Sequence, residues 1–277
     1  MSEVAQTTLA EPVSYSGIGL HAAHEVHMVL RPAPADTGII FIRTDLPEHP
    51  SVPAQLSYVT NTMRATTLEH GEAKVFTVEH LLSALRGLDV DNCIVEMDSV
   101  EPPVADGSSL TFVRLIEKAG IQSLHTPRRT LVVSKQHLVQ DNDKFIAIVP
   151  YDGLRITFTS INPHPMLGVQ FLDTEITKEN YVNEIAFART IAFTEELEMM
   201  RKMGLGKGGT LENAVVYDKT TCLSKLRIQD ELVRHKVLDI VGDMALIGHP
   251  LQGHIIAVKS SHTLNNQLAQ KISEELS

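Results

Sequence analysis

Cysteine is scarce: 277 residues hold only Cys93 and Cys222. Two distant cysteines without C-x-x-C spacing exclude a disulfide framework and a cysteine zinc cage, and both are expected to be reduced and idle. Long apolar runs are missing as well. Nothing approaches the ~18 apolar residues of a membrane-spanning helix. The opening MSEVAQTTLAEPVSYSG has early acidic residues and no apolar stretch, so it does not read as a secretory signal. A cytoplasmic chain with no integral membrane segment is expected. Positive charge is in deficit, with 24 Lys and Arg against 34 Asp and Glu and a formal net charge of −10. That argues against a nucleic acid partner, whose affinity rests on neutralising phosphates, but leaves room for a small basic pocket around one phosphorylated metabolite.

What is present is ordinary globular material, 43% apolar and 21% charged, at a length that suits two domains. Alternation predicts strands at EVHMVLR (25–31), IIFIRTD (39–45) and NCIVEMD (92–98). Helical period marks 76–87, with Gly87 as its stop, and a second helix to Gly120 that opens on the cap-forming residues of ADGSS. Over IQSLHTPRRT (121–130) the period lapses and Pro127 interrupts. The domain boundary is placed there, giving an N-terminal α+β domain 1–126 and a C-terminal α+β domain 127–277. Beyond it, TLVVSKQHLVQ, KFIAIVP and LRITFTSI read as meander strands. TEELEMMRKMG (194–204) and 231–248 read as helices, GHIIAVKSS (253–261) as a strand, and 261–276 as a closing helix. Each half carries a helix with an early histidine (His80, His235), a Gly-containing loop and an apolar strand (93–97, 254–258). That echo suggests two α+β units of like build packed face to face.

The chemistry concentrates in three segments. In VRHKVLDIVGD (233–243), His235, Asp239 and Asp243 fall at i, i+4 and i+8, a narrow ionisable stripe on an otherwise apolar helix. Residues four apart stack, so His235 and Asp239 can address one point with donors that suit zinc. A lone H-x3-D is nevertheless more often a solvated helix face. In TVEHLLSAL, Glu79 and His80 are ~100° apart on a helix and can line one cavity without sharing an atom; Glu79 could equally complement the helix N-terminus while His80 packs. In KSSHTLNNQ, Lys259 ends a strand and His262 follows in a turn or helix start, where Asp243 could orient it and favour its imidazolium. Alone, such a histidine is more often a loop or cap residue. Together these residues fill the needs of a hydrolytic metal site: three ligands with an open position, a base and an acid.

Other motifs point elsewhere. His21, His24 and His27 form an H-x2-H-x2-H cluster, but in an extended chain His24 faces away from the other two, and all three read as surface or turn histidines. GLGKGGT (204–210) lacks P-loop spacing and reads as a mobile loop. Glu101 and Asp106 in EPPVADGSS read as turn and cap residues.

TVEHLLSAL, RHKVLDIVGD and KSSHTLNNQ together resemble the UDP-3-O-acyl-N-acetylglucosamine deacetylases, zinc enzymes of lipid A biosynthesis. The likeness extends to GIGLHAAHEVHMVLRPAPADTGIIFIRTD, EPPVADGSS and FARTIAF, in order along almost the whole chain. It implies two similar α+β domains, each a sheet with helices, the helices sandwiched between the sheets. It implies Zn2+ held by His80, His235 and Asp239, Glu79 as general base, and His262, held by Asp243, as general acid. It implies Thr190 as polariser of the amide carbonyl and Lys236 and Lys259 as contacts of the diphosphate and neighbouring polar groups. Each domain would carry an insert, the second near 190–218 lining an acyl passage for which Phe193, Leu197, Leu211 and Val216 are candidates.

The implied substrate is a small acylated UDP-sugar that loses acetate from its 2-amino group. Ile191 stands where many members carry an aromatic residue, and Ala65 where some carry cysteine. Two other readings remain open at this point, a different metal-dependent amidohydrolase and a non-catalytic nucleotide-sugar-binding protein. The second would need neither Glu79 nor His262. No feature of the sequence specifies an oligomeric state; a monomer is compatible with all of it.

Overall fold

The computed structural model describes residues 4–274. The ends of two expected features, Met1–Glu3 of the opening segment and Glu275–Leu276 of the closing helix, lie outside the described residues.

Six helices are described: α1 (Glu79–Gly87), α2 (Leu110–Ala119), the single turn α3 (Lys178–Asn180), α4 (Thr194–Lys202), α5 (Glu231–Ala245) and α6 (His262–Ser273). The fold is α+β. One five-stranded sheet has the spatial order Val13–Ile18, Glu25–Pro32, Cys93–Met97, Ile39–Arg43, Ser51–Pro53. A second runs His137–Asp141, Lys144–Val149, Leu251–Val258, Leu154–Asn162, Gly168–Glu175, with the short Leu131–Val132 added beside Leu251.

The two orders are one topology used twice. In each, the last strand inserts at the centre, antiparallel to the second strand and parallel to the third. In each, a helix precedes that strand (α1, α5) and another follows it (α2, α6). The faint echo in the sequence is thus a full repeat of strand order.

The helices α1 and α5 meet in the core that joins both sheets. Nearly all of α5 is buried, from Glu231 to Met244, as expected of a helix apolar on most of its circumference. Its ionisable stripe therefore faces protein, and the solvated-face reading is excluded. Small residues set how closely the two helices approach. A Cβ on Gly242 would lie 2.1 Å from the Glu79 carbonyl oxygen, and Ser83 Oγ donates to the Leu238 carbonyl at 2.8 Å. Tyr181 Oη donates to Ser83 Oγ at 2.8 Å.

Helix α1 ends at Gly87 as expected, and the missing side chain there also makes room for the Tyr181 ring, which a Cβ would meet at 2.3 Å. Other expectations need correction. Segment 121–127, where the hydrophobic period lapses, is a strand paired antiparallel with Ala5–Leu9. Its residues are half-buried or exposed, so there is little burial to stamp a period on them. TLVVSKQHLVQ is two strands, Leu131–Val132 and His137–Asp141. Ser109 opens α2 without a side-chain cap, because its hydroxyl donates instead to the His80 carbonyl at 2.7 Å.

Two excursions leave this plan. Strands Val59–Asn61, Thr67–His70 and Ala73–Phe76 form a small sheet. Parallel strands Ile191–Phe193 and Val215–Tyr217 enclose α4 and the loop after it. No helix among the described residues is long and apolar enough to cross a membrane.

Candidate metal centre and active site

Helical spacing stacks His235 and Asp239 on α5, with His235 Nε2 3.4 Å from Asp239 Oδ1. From the start of α1, His80 brings its Nε2 to 3.9 Å from the same oxygen. One ligand atom from each residue lies within 4.8 Å of the other two, and all three side chains are buried. The His235 Nδ1 must donate to the Ala188 carbonyl, 3.0 Å away, because that oxygen can only accept. The proton is then on Nδ1 and the lone pair on Nε2 faces the cluster.

Burial, with His235 adding, pushes the His80 imidazole down to about 3, and burial lowers His235 too. Both rings are neutral at ordinary pH. Burial opposes charge on Asp239, yet His235, Lys236, His262 and His80 hold it well below the usual carboxylate range. With His80 and His235 neutral, Lys236 and protonated His262 supply the positive charge. Lys236 Nζ donates to Asp239 Oδ2 at 2.8 Å, while Asp239 Oδ1 is buried with no hydrogen-bond partner among the described residues. A buried carboxylate oxygen left unsatisfied is costly. Two neutral imidazole nitrogens and this orphaned anionic oxygen, turned to one point, fit a divalent cation of the zinc type.

Beside the cluster, Glu79 and His262 face each other at 3.9 Å, Oε1 to Nε2. Burial pushes Glu79 up to about 7, with His262 opposing and Asp243 and Asp239 adding to the rise. Its Oε2 accepts the Thr66 amide at 3.1 Å. His262 is the first residue of α6, where the helix dipole disfavours a cation, and burial disfavours it too. Asp243, then Asp239 and Glu79, override both and raise His262 to about 10. Asp243 is fully buried. It accepts His262 Nδ1 at 2.8 Å, Thr66 Oγ1 at 2.7 Å and Asn265 Nδ2 at 2.8 Å. A carboxyl near neutrality thus stands opposite a firmly protonated imidazole, a pairing suited to general base and general acid.

These groups open into a cavity of about 690 Å³. Glu79, His80, His235, Asp239 and His262 line it, together with Thr190, Lys236 and Lys259. Phe193, Leu197, Leu211 and Val216 are among its apolar lining residues, with Leu20, Met200 and Leu205. Lys259 has a left-handed backbone, φ +54°, and its Nζ pairs with the exposed carboxylate of Asp143. Every residue singled out from the three chemical segments reaches this cavity except Asp243, which stands behind His262.

A family model described as LpxC: UDP-3-O-acyl N-acetylglycosamine deacetylase matches residues 6–274. The chain belongs to this deacetylase family. Relatives named UDP-3-O-acyl-N-acetylglucosamine deacetylase agree with it over nearly their whole lengths. The protein from Myxococcus xanthus is 42% identical over 272 residues, 98% of this chain and 87% of the relative. That from a Geobacter species is 44% identical, covering 96% and 88%, and that from Pseudomonas entomophila 41% identical, covering 98% and 91%.

The other histidines of this deacetylase-family chain divide. His24 and His27 are exposed, whereas His21 sits in a turn, as one of the two expected placements had it, but is buried there and lines the cavity. The loop 204–210, read as mobile, is hydrogen-bonded to the turn at Leu20 and His21. Glu101 lies under that same turn. Asp106 holds Ser108 and pairs with Arg227 at 2.8 Å. Thr66, Asn265, Arg64 and Lys144 escaped the sequence reading. Thr66 and Asn265 serve Asp243 from distant segments, and Arg64 and Lys144 line the cavity. Only Asn265, three residues after His262 on one helix face, carries a signal that could have found it.

Proposed function

We propose that this chain is a zinc-dependent deacetylase that hydrolyses UDP-3-O-acyl-N-acetylglucosamine to UDP-3-O-acyl-glucosamine and acetate in lipid A biosynthesis. The observation that carries the reading is the orphaned Asp239 Oδ1 facing two neutral imidazoles, next to a base and acid pair in one cavity. His80, His235 and Asp239 would hold the zinc, the ion that two nitrogens and one carboxylate oxygen with an open position suit best. When bound, it makes water more acidic and polarises a carbonyl oxygen.

The chain's own residues supply the rest. Glu79 Oε1 takes the proton from the attacking water as its oxygen adds to the acetamide carbon. His262 Nε2–H steadies the developing oxyanion and then gives its proton to the departing 2-amino nitrogen, so the C–N bond breaks to an amine and acetate. Asp243 keeps that imidazole protonated and oriented. Thr190 Oγ1 donates towards the carbonyl oxygen. Lys236 and Lys259 meet the diphosphate and nearby polar groups, which gives an acidic protein a local basic patch. Phe193, Leu197, Leu211 and Val216 take up the acyl chain. The division into units 1–126 and 127–277 belongs to the same proposal and is supported by the repeated strand order.

The test is acetate release from the acylated UDP-sugar by protein of known zinc content. Release that needs both the UDP and the acyl group supports the reading. Equal turnover of a simple N-acetyl sugar favours a different amidohydrolase, and binding without turnover favours a nucleotide-sugar-binding protein.

A further inference from the structure

Glu101 belongs to none of the roles above, yet it is among the most buried carboxyls in the chain, 1% exposed. Burying a carboxyl is costly unless its oxygens are satisfied. Here burial raises its pKa, and the hydrogen bonds it accepts oppose the rise. The backbone amide of His21 donates to both of its oxygens at 3.1 and 3.0 Å, the amide of Ala22 at 3.1 Å, and Thr77 Oγ1 at 2.8 Å. The turn held this way is the Leu20–Ala22 turn.

The upper side of that turn grips another segment. The Gly206 amide donates to His21 Nδ1 at 3.1 Å. The Lys207 amide donates to the His21 carbonyl at 3.2 Å and the Gly208 amide to the Leu20 carbonyl at 2.9 Å. Burial, then Arg64, pushes His21 down to about 4, so its Nδ1 stays free to accept. The contact is close enough that a Cβ on Gly208 would meet the Gly19 carbonyl oxygen at 2.2 Å. Both joined pieces line the cavity, the turn with Leu20 and His21 and the loop with Leu205, Gly206, Gly209 and Leu211.

We infer that Glu101 is a positioning residue for acyl-chain selectivity: through the Leu20–Ala22 turn it clamps the 206–208 loop and so holds the wall of the passage that receives the long acyl group. The inference rests on the proposed deacetylase reading. Glu101 is itself absent from the cavity lining and reaches it through the residues it holds, the Leu20–Ala22 turn and Thr77. A substrate with a short acyl group does not use the passage wall.

The test compares Glu101→Gln with wild type on UDP-N-acetylglucosamine carrying a long 3-O-acyl chain and on its 3-O-acetyl counterpart, while hydrogen exchange follows the amides of Gly206, Lys207 and Gly208. Glutamine keeps the shape but gives up the charge and one acceptor. The expected result is a drop of about tenfold in the long-to-short ratio of kcat/KM, the factor that loss of one charged hydrogen bond produces. KM for the long substrate should rise, short-chain turnover should hold, and exchange at the three amides should quicken. An unchanged ratio, or an equal loss on both substrates, overturns the inference. Exchange does not depend on turnover, so it decides the tether even if the wild-type chain releases no acetate, and unchanged exchange then overturns it. Should Glu101→Gln fail to fold, Gly208→Ala probes the same contact from the loop side and must produce the same loss of selectivity.

Discussion

His262 Nδ1 lies 2.8 Å from Asp243 Oδ2, and that carboxyl is held from two further directions, by Thr66 Oγ1 and Asn265 Nδ2. A fully buried acceptor with three donors is fixed in place, and so is the imidazole attached to it. The consequence is electrostatic as well as geometric. His262 sits where burial and a helix N-terminus both oppose its charge, and it is protonated all the same.

Replacing Asp243 by asparagine therefore moves a pH limb. In wild type, kcat/KM should rise as Glu79 loses its proton and fall as His262 loses its own near 10. Both values, about 7 for Glu79 and about 10 for His262, are those before a cation is counted, and a bound cation draws both limbs lower. Asp243 is the largest group raising His262, so Asp243→Asn lowers its pKa and shifts the basic limb to lower pH. A pH–rate profile reads this directly, and a basic limb that stays put contradicts the assignment.

Glu79→Ala and His262→Ala should each cost ~10²–10⁴ in kcat. The two groups act in one sequence of proton transfers, so the double variant should lose less than the product of the single losses. His262→Ala should still bind one equivalent of metal, because His262 is not in the ligand cluster. Full turnover by either single variant contradicts the roles.

Gly242→Ala places a methyl 2.1 Å from the Glu79 carbonyl. Helix backbones must separate to admit it, at about 1–3 kcal/mol of stability. The same separation carries His80 away from His235 and Asp239, so metal affinity should fall along with the melting temperature. Thermal unfolding and a metal titration check the two effects together.

Glu231→Ala should be the most damaging of these changes to the fold. Glu231 is fully buried and accepts the Arg189 side chain at 2.8 and 3.1 Å and the amides of Arg189 and Arg227. Removing it leaves the Arg189 charge buried without its partner, at about 3–5 kcal/mol. Denaturant unfolding measures the loss, and a change under 1 kcal/mol would show that Arg189 finds other compensation.

How much of this could be read from residues alone follows the range of each interaction. The His235–Asp239 pair was visible because helical spacing makes four residues a contact. The repeated build was hinted at by two helix–loop–strand echoes. What brings His80 to that pair was not visible, since it depends on Gly242 and Ser83 letting two helices from opposite halves touch. Thr66 serves Asp243 across 177 positions, and no local pattern marks such a bond. His21 reads as a surface or turn histidine, and no local pattern marks that its turn lies over the buried Glu101 and carries it into the cavity wall. The strand at 121–127 was missed for the opposite reason, having too little burial to show a period.

The central claim is that His80, His235 and Asp239 hold the one metal ion on which deacetylation depends. It is tested most directly by stripping the protein of metal and measuring acetate release from the acylated UDP-sugar as zinc is returned in known amounts. The account predicts no release from the stripped protein and a linear rise that levels at one zinc per chain. Release that persists without metal, or that ignores the added zinc, would contradict it.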